Sequence, residues 1–420
     1  MHSLVGAAIV IAVASPVPVR AAAELPPALH LSLDEAVSRA RLKSPLVRLA
    51  RKERDVVASG RVGAGALLPS NPIVGVTVGH RRDDSGSRPP AAGVEWGARL
   101  EQSFEVGGQR GARLAEADRR LDVAGARLAL AESETQARVR AAYVAVLVAE
   151  AQSASAAERA ELGARVLTAA RARVQSGAAG DVELRLATSE AGRLQHDRLE
   201  AQLAVAEANA DLRLLLDLPP AAALTLTTAL TAPAPVAQSL ADATAQARAR
   251  RAELRVVATE RSTLAATLVR LRREVIPSPA LFVDLQRQQP GQLYVGGGLS
   301  FSLPTWRRHQ GERAIARAQA ERVDEERALV DSEIALEVAQ LYERAAVRRD
   351  GAQLWATQIV PAADATVDLV HSGWAAGKFD LFRLVQVSRE AGEARRRQLE
   401  VLAAWWEATI ELDRATGALQ

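Results

Sequence analysis

Cysteine does not occur in the 420 residues, and the only methionine is Met1. Disulfides, thiolate nucleophiles, soft metal ligation and a lipid carried on cysteine are therefore not expected. Aromatic residues make up only 3% of the chain, too few for the Phe-, Tyr- and Trp-rich interior of a compact globule of this length. The six histidines (2, 30, 80, 196, 309 and 371) are scattered, and no two have the spacing of helical metal ligands. Gly296-Gly297-Gly298 stands inside an alternating segment, not before a helix, so no phosphate loop is present. No stripe of Lys and Arg interleaved with aromatics points to nucleic acid. Beyond the first residues, no run approaches the ~20 apolar positions of a membrane-spanning helix. Neither an enzyme nor a cofactor protein is indicated, and no resident metal is expected.

What the chain does contain is Ala, Leu, Arg and Glu in the proportions of long packed helices. Fifty-three basic residues face fifty acidic ones, for a net charge of +3. Glu116/Arg120, Glu134/Arg138, Glu161/Arg165 and Glu393/Arg397 have the favourable i,i+4 order of solvated helix surfaces.

The chain also repeats itself. Leu31-Ser-Leu-Asp-Glu-Ala36 is echoed by Gln238-Ser-Leu-Ala-Asp-Ala243, 207 positions on (240 − 33). Pro69 returns as Pro277, and Ser176-Gly177 returns as Ser372-Gly373. Such duplication defines the architecture before any single residue does. The expected division is a secretory signal peptide over 1–23, a first repeat over 24–216, a linker over 217–236 and a second repeat over 237–420. The leader is read from the short apolar core Leu4 to Val13, followed by small-residue cleavage options after Ala14 or Ala23.

Ser32 is an N-cap with Glu35 completing a capping box. The helix that follows, interrupted at Pro45, ends before Pro69, Asn71 and Pro72. The period then changes to two, with strands expected at about 73–80 and 94–104, and in the second repeat at about 280–288 and 292–303. Val94, Trp96, Ala98 and Leu100 point one way, and Glu95, Gly97, Arg99 and Glu101 the other. Leu281, Val283 and Leu285 likewise oppose Phe282, Asp284 and Gln286. Each strand pair precedes a very long helix, about 110–174 and 310–370, then a glycine break and a return helix. At ~1.5 Å per residue each long helix spans on the order of 90–100 Å, wider than a globular core.

Strands of this length with one apolar face suit a lipid-facing barrel. Open strand edges are too costly in hydrocarbon, and four strands cannot close a barrel. Several chains must then share one, with the helices forming a second tube in the periplasm. The rival reading of these residues is a periplasmic adaptor or coiled-coil scaffold. Against it stand two strand hairpins and two helical hairpins, where an adaptor carries one helical hairpin between lipoyl-like halves.

The ordered motifs resemble the outer membrane factor family of TolC-like efflux proteins, in particular its CzcC-like branch. They are Leu31 to Ala36, Leu68-Pro69 with Asn71-Pro72, Gln102 to Arg110, Leu303 to Glu312, and Ser372-Gly with Gly377-Lys-Phe. The resemblance covers roughly residues 31–418. It implies an α+β membrane protein: long α-helical hairpins form a periplasmic α-barrel, and four transmembrane β-strands per chain join a trimeric, twelve-stranded β-barrel. It further implies a passive outer-membrane conduit of a Gram-negative bacterium, serving a tripartite efflux system. Its partners would be a homotrimer, a periplasmic adaptor (membrane fusion) protein and an inner-membrane pump of the resistance-nodulation-division type. Cargo would be metal ions or small toxic molecules; a type I protein secretion channel is the alternative.

The site residues follow from that picture. Gly177, Gly180, Gly373 and Gly377 mark the hairpin tips where an adaptor would dock. Family members close their tunnel just after the second tip, with acidic residues six and nine positions beyond the glycine. Here those positions hold Arg383 and Gln386, with Asp380 the nearest acid, so these three are the candidate gate. Glu95, Arg99, Glu101, Asp284 and Gln286 would line the barrel lumen. Trp96, Phe104 and Phe301 would sit at the membrane interfaces, whereas Tyr294 falls on the polar face by period.

Overall fold

The computed structural model describes residues 29–82, 92–288 and 292–419. The expected leader at 1–23 and the loops joining each strand pair, 83–91 and 289–291, lie outside the described residues.

The first half begins with a short strand, β1 (Leu29–Leu31), and two helices, α1 (Leu33–Lys43) and α2 (Pro45–Ala64). Ser32 caps α1 in a full capping box: its hydroxyl accepts from Glu35 N–H, and the Glu35 carboxylate accepts from Ser32 N–H at 2.8 Å. Those hydrogen bonds hold the Glu35 carboxyl below its ordinary range. Pro45 occupies the first turn of α2, where its missing N–H costs nothing. Strands β2 (Ile73–Arg82) and β3 (Ala92–Ser103) follow, then α3 (Gln109–Gln175) and its return, α4 (Asp181–Leu215).

The same order recurs in the second half. It runs β4 (Leu224–Leu226), α5 (Leu240–Arg250), α6 (Ala252–Arg273), β5 (Ala280–Gln288), β6 (Gln292–Ser300), α7 (Gln310–Leu354), α8 (Val360–Ala375) and α9 (Leu381–Ala415). One element breaks the symmetry. The 67 residues of α3 are uninterrupted, whereas a π turn, Trp355–Ile359, separates α7 from α8. Pro361 explains it: proline lacks the donor, and its ring crowds the preceding turn, so the helix widens before it.

Strands β1 and β4 form a parallel pair that joins the start of the first repeat to the linker, a pairing the sequence reading lacked. The other sheet has the order β2-β3-β5-β6, antiparallel throughout. Strand β6 ends three residues before the expected 303. Its partner β5 begins at Ala280, just past Pro277 and Pro279, and Ser300 opposite Ala280 closes the ladder.

Burial is distributed along the rod in separate clusters, as expected where thin helical layers replace one core. One joins β1, α1, α3 and α4 around Leu31, Val139, Tyr143 and Leu212. Another joins α5, α7 and α9 around Val338, Leu341 and Leu412. A third lies at the far end, where Ala170 and Ala187 of the first hairpin meet Val370, Trp374, Leu381 and Leu384 of the second. The two hairpins therefore share one core at their tips.

Halves are also tied by charge. Glu116 of α3 is 3% exposed and takes hydrogen bonds from Arg120, from Thr267 at 3.0 Å and from Arg270 of α6. Within the second half, Glu337 of α7 is likewise held by Arg251 and Arg414. Burial pushes the Glu337 carboxyl up, but the two guanidiniums outweigh it and keep it below its ordinary range.

Candidate functional site

Cross-strand pairing sorts the four strands into two faces. Leu100 lies opposite Val74 on one side and Val283 on the other; Ala98 lies between Val76 and Leu285, and Trp96 between Val78 and Arg287. Opposed residues share a face, so these positions form one surface, apolar but for Arg287 beside Trp96, and Val74, Val76 and Val78 are about 70% exposed on it. The opposite face carries Arg99 between Gly75 and Asp284, and Glu101 between Ile73 and Phe282.

That second face is a charged wall. The Arg99 guanidinium lies 3.1 Å from Glu101 and 3.9 Å from Asp284, and sits 3.8 Å above the Phe282 ring. Gln286 accepts from Gln288 at 3.3 Å, and Glu95 shares this face by its register opposite Gly79. Small residues make room: a Cβ at Gly298 would lie 2.6 Å from the Phe282 ring. The five residues expected in the lumen thus share one face, and the structure adds Phe282 as the platform under Arg99.

The aromatics expected at the membrane interfaces fall at two levels of the sheet. Trp96 is on the apolar face, 39% exposed; Phe104 and Phe301 follow the ends of β3 and β6 near the helices. From Trp96 to Phe104 is roughly 26 Å along an extended strand, about 20 Å of height at a typical barrel tilt. Tyr294 pairs with Gln286 on the polar face. The most exposed large aromatic is one the sequence reading passed over, Trp306 at 88%, just beyond β6.

At the far end, Gly177 and Gly377 have φ of 74° and 73°, the left-handed conformation that disfavours a side chain. Each closes the same helix stop. Gly177 N–H donates to Val174 O and Ala178 N–H to Arg173 O; Gly377 N–H donates to Trp374 O and Lys378 N–H to Gly373 O. Gly373 has a different reason, since a Cβ there would strike the Phe379 ring. Gly180 is the N-cap of α4 in extended geometry, with open space at its Cβ; nothing in the structure demands glycine there.

Asp380 is the N-cap of α9, and its Oδ1 accepts from Arg383 N–H at 2.8 Å. The Arg383 guanidinium lies 5.3 Å from the Phe379 ring, not on Asp380. Gln386 is one turn on and donates to Glu390 at 3.3 Å. All three candidate gate residues are exposed at the start of α9.

A cluster the sequence reading missed lies just beyond them. Glu190 of α4 is 7% exposed and is hydrogen-bonded both by Arg193, 2.6 Å away on its own helix, and by Arg389 Nε of α9 at 3.0 Å. Burial pushes the Glu190 carboxyl up, and the two guanidiniums more than reverse this, holding it below its ordinary range. A cavity of about 240 Å³ lies beside it between the hairpins, flanked by Asp364, His371 and Arg395. The Glu190/Arg193 spacing was readable as a helical pair. Arg389, 199 positions away, left no signal in the sequence.

Among the described residues, no group of three His, Asp or Glu has metal-binding geometry, and no helix is long and apolar enough to cross a membrane.

Comparison with known proteins agrees with this geometry. The family model described as outer membrane efflux protein matches residues 36–217 and 234–418. The cobalt-zinc-cadmium resistance protein CzcC of Cupriavidus metallidurans is 26% identical over 335 residues, 76% of each chain. The crystal structure of CusC superposes with a TM-score of 0.71 at 15% identity, covering 92% of both chains. The CmeC outer membrane channel of Campylobacter jejuni superposes with a TM-score of 0.74 at 13% identity, covering 92% of this chain and 85% of its own. At those identities the superpositions speak for the fold alone: the TolC-like channel architecture of long helices with a small sheet.

Proposed function

The chain belongs to the outer membrane efflux protein family, and on that premise we propose that three copies form the outer-membrane conduit of a tripartite exporter. The observation that carries this reading is the four-stranded sheet. One face is apolar and the other charged, and among the described residues β2 and β6 have no partner on their outer edges. In lipid such edges are untenable, and closure requires more strands than one chain has. Three copies supply twelve.

In this reading the apolar face of β2, β3, β5 and β6 meets lipid, with Trp96 at one interface and Phe104 and Phe301 at the other. Glu95, Arg99, Glu101, Asp284 and Gln286 line the pore. The helices continue it through the periplasm, and Asp380, Arg383 and Gln386 surround its constricted end. The tips at Gly177, Gly180, Gly373 and Gly377 receive a periplasmic adaptor, itself bound to an inner-membrane pump of the resistance-nodulation-division type. Conduction in this reading is passive, along a wall of polar groups.

Divalent metal ions are the favoured cargo. The support is the cobalt-zinc-cadmium resistance relative, and the acidic bias of the sheet's polar face fits cations. The test has two parts. Native mass measurement in detergent should give three copies, and recovery in the soluble periplasm without outer-membrane signal would sink the channel. Cells lacking the gene should retain more zinc, cobalt or cadmium. Cargo that stays constant when the cognate pump is exchanged would refute the passive-conduit reading.

A further inference from the structure

The cavity of about 240 Å³ between the hairpins has no part in the conduit reading, and its two ends differ in character. Arg159 of α3, Arg193 of α4 and Arg395 of α9 line the end away from the tips. Val166, Leu384 and Val385 line the end nearer them. Arg159 to Val166 is seven positions (166 − 159), roughly 10 Å along the helix. The space is therefore short and amphipathic, and it is smaller than the ~300–1,000 Å³ of sites for drug-sized molecules.

Most charges around it are paired with one another. Arg193 lies 2.6 Å from Glu190 and 2.9 Å from Asp197, and Arg395 lies 2.9 Å from Asp364. Asp368, the remaining acid of the lining, is exposed, where water screens it. Arg159 is the exception. It has no ion-pair partner among the described residues, where its one hydrogen bond runs from Nε to Ser155 O at 3.4 Å. Its side chain lies across the boundary between the hairpins: a Cβ on Gly392 of α9 would come within 2.9 Å of Nη1 and 3.3 Å of Cδ.

The charge on Arg159 is ill matched to these surroundings. Burial lowers its pKa from the ordinary value; Asp197, already engaged by Arg193, offsets this in part, and Arg193, Arg396 and Arg395 lower it further. A half-buried cation facing three others, at one end of an apolar space, is stabilised by an anion that the chain does not supply. Its terminal nitrogens suit a carboxylate, which a planar guanidinium grips through two parallel hydrogen bonds.

We propose that this cavity binds a small monocarboxylate with an apolar body, such as an aryl or short-chain acid. The carboxylate meets Arg159, with Arg395 approaching from α9, and the apolar body lies toward Val166 and Leu384. Because the occupant touches both hairpins, it adds to the Glu190–Arg389 contact and holds the tips together. The site lies within one chain and stands apart from the conduit reading; its effect on opening rests on that reading.

The probe is cinnamate, applied to the purified protein in lipid nanodiscs with empty nanodiscs as the blank. Equilibrium dialysis should show one site per chain. The neutral cinnamamide and the cationic cinnamylammonium should bind about tenfold more weakly or worse, since each lacks the charge-assisted pair. Arg159→Gln should weaken cinnamate binding by a similar factor, and Arg159→Lys should recover part of it. Ser388→Leu fills the cavity from α9 without altering a charge and should abolish binding. Circular dichroism and native mass matching the parent identify the variants that fold. No binding by the parent, equal binding of the three probes, or undiminished binding by either folded Arg159→Gln or folded Ser388→Leu overturns the site. In planar bilayers, saturating cinnamate should lower the open probability of the parent several-fold and leave Arg159→Gln unmoved. Binding that leaves opening unchanged overturns the clamp while the site stands. A protein that binds cinnamate in this way yet forms no channel overturns the conduit reading and the clamp with it, but not the site.

Discussion

Replacing Arg389 with alanine should loosen the closed end of the tunnel, and the structure sets the size of the effect. Glu190 sits at the boundary of the two hairpins, and Arg389 of α9 reaches it from the other side. Because Arg193 also holds Glu190, the Arg389→Ala variant does not strand a buried carboxylate; it removes one charge-assisted hydrogen bond. The Arg389 side chain is 49% exposed, so solvent screening limits the loss to about 1 kcal/mol per chain. In a trimer the three latches act on one tunnel, and about 3 kcal/mol corresponds to roughly a hundredfold in the open-to-closed ratio. Single-channel recording in planar bilayers should therefore show a large rise in open probability with little change in the conductance of the open state. Arg193→Ala is the control, since it touches the same carboxylate from within α4 and breaks nothing between hairpins. An Arg389→Ala channel that is trimeric yet opens no more often than the parent would refute the latch. So would an Arg193→Ala channel that opens equally often.

Three further outcomes are expected. Burial notwithstanding, the two guanidiniums hold the Glu190 carboxyl below its ordinary range; a lowered acid stabilises the folded contact at and above that range and loses it as pH falls through its folded pKa. Open probability should accordingly stay level from neutral pH to about 4.5 and climb only below it, and a rise beginning near pH 6 would contradict the assignment. Arg383→Ala should raise resting conductance a few-fold, since exposed charges near the axis are each worth ~0.2–1 kcal/mol; unchanged conductance would move the constriction elsewhere, with Gln386 next. Arg99→Ala removes the cation set among Glu101 and Asp284. Reversal potentials in a salt gradient should then shift toward cation preference without a change in opening, and a shift toward anions would place Arg99 off the conducting wall.

The architecture was legible because local rules agree with one another along most of the chain. The switch from a helical period to a period of two marked the strands, Pro45 and Pro69 marked helix ends, and Ser32 with Glu35 announced α1 three residues at a time. The face assignment of Arg99, Glu101 and Asp284 needed only alternation, and pairing across β3 and β5 then brought them together. Two features escaped for local reasons. Strand β1 is three residues long and exists through its pairing with Leu224–Leu226, almost two hundred positions away, so no periodicity could reveal it. The π turn before Pro361 occupies a single turn of an otherwise regular helix, below the resolution of a period argument.

The candidate gate was less legible, for a reason rooted in the architecture itself. A tunnel wall is one helix thick, so each helix shows one face to its neighbours, one to the lumen and one to the periplasm. Exposure in a single chain does not separate these. Asp380 illustrates the difficulty: as an acid near a tip it reads as a charge offered to the axis, yet its carboxylate caps α9 and accepts from Arg383 N–H. Its removal would fray the first turn of α9 as well as alter the charge. Arg383 and Gln386 carry no such structural duty in the chain, which makes them the cleaner positions at which to ask where the tunnel narrows. The contacts that decide opening join residues far apart in sequence, as Glu190 and Arg389 do, or join separate copies. Such contacts leave no mark in any local motif.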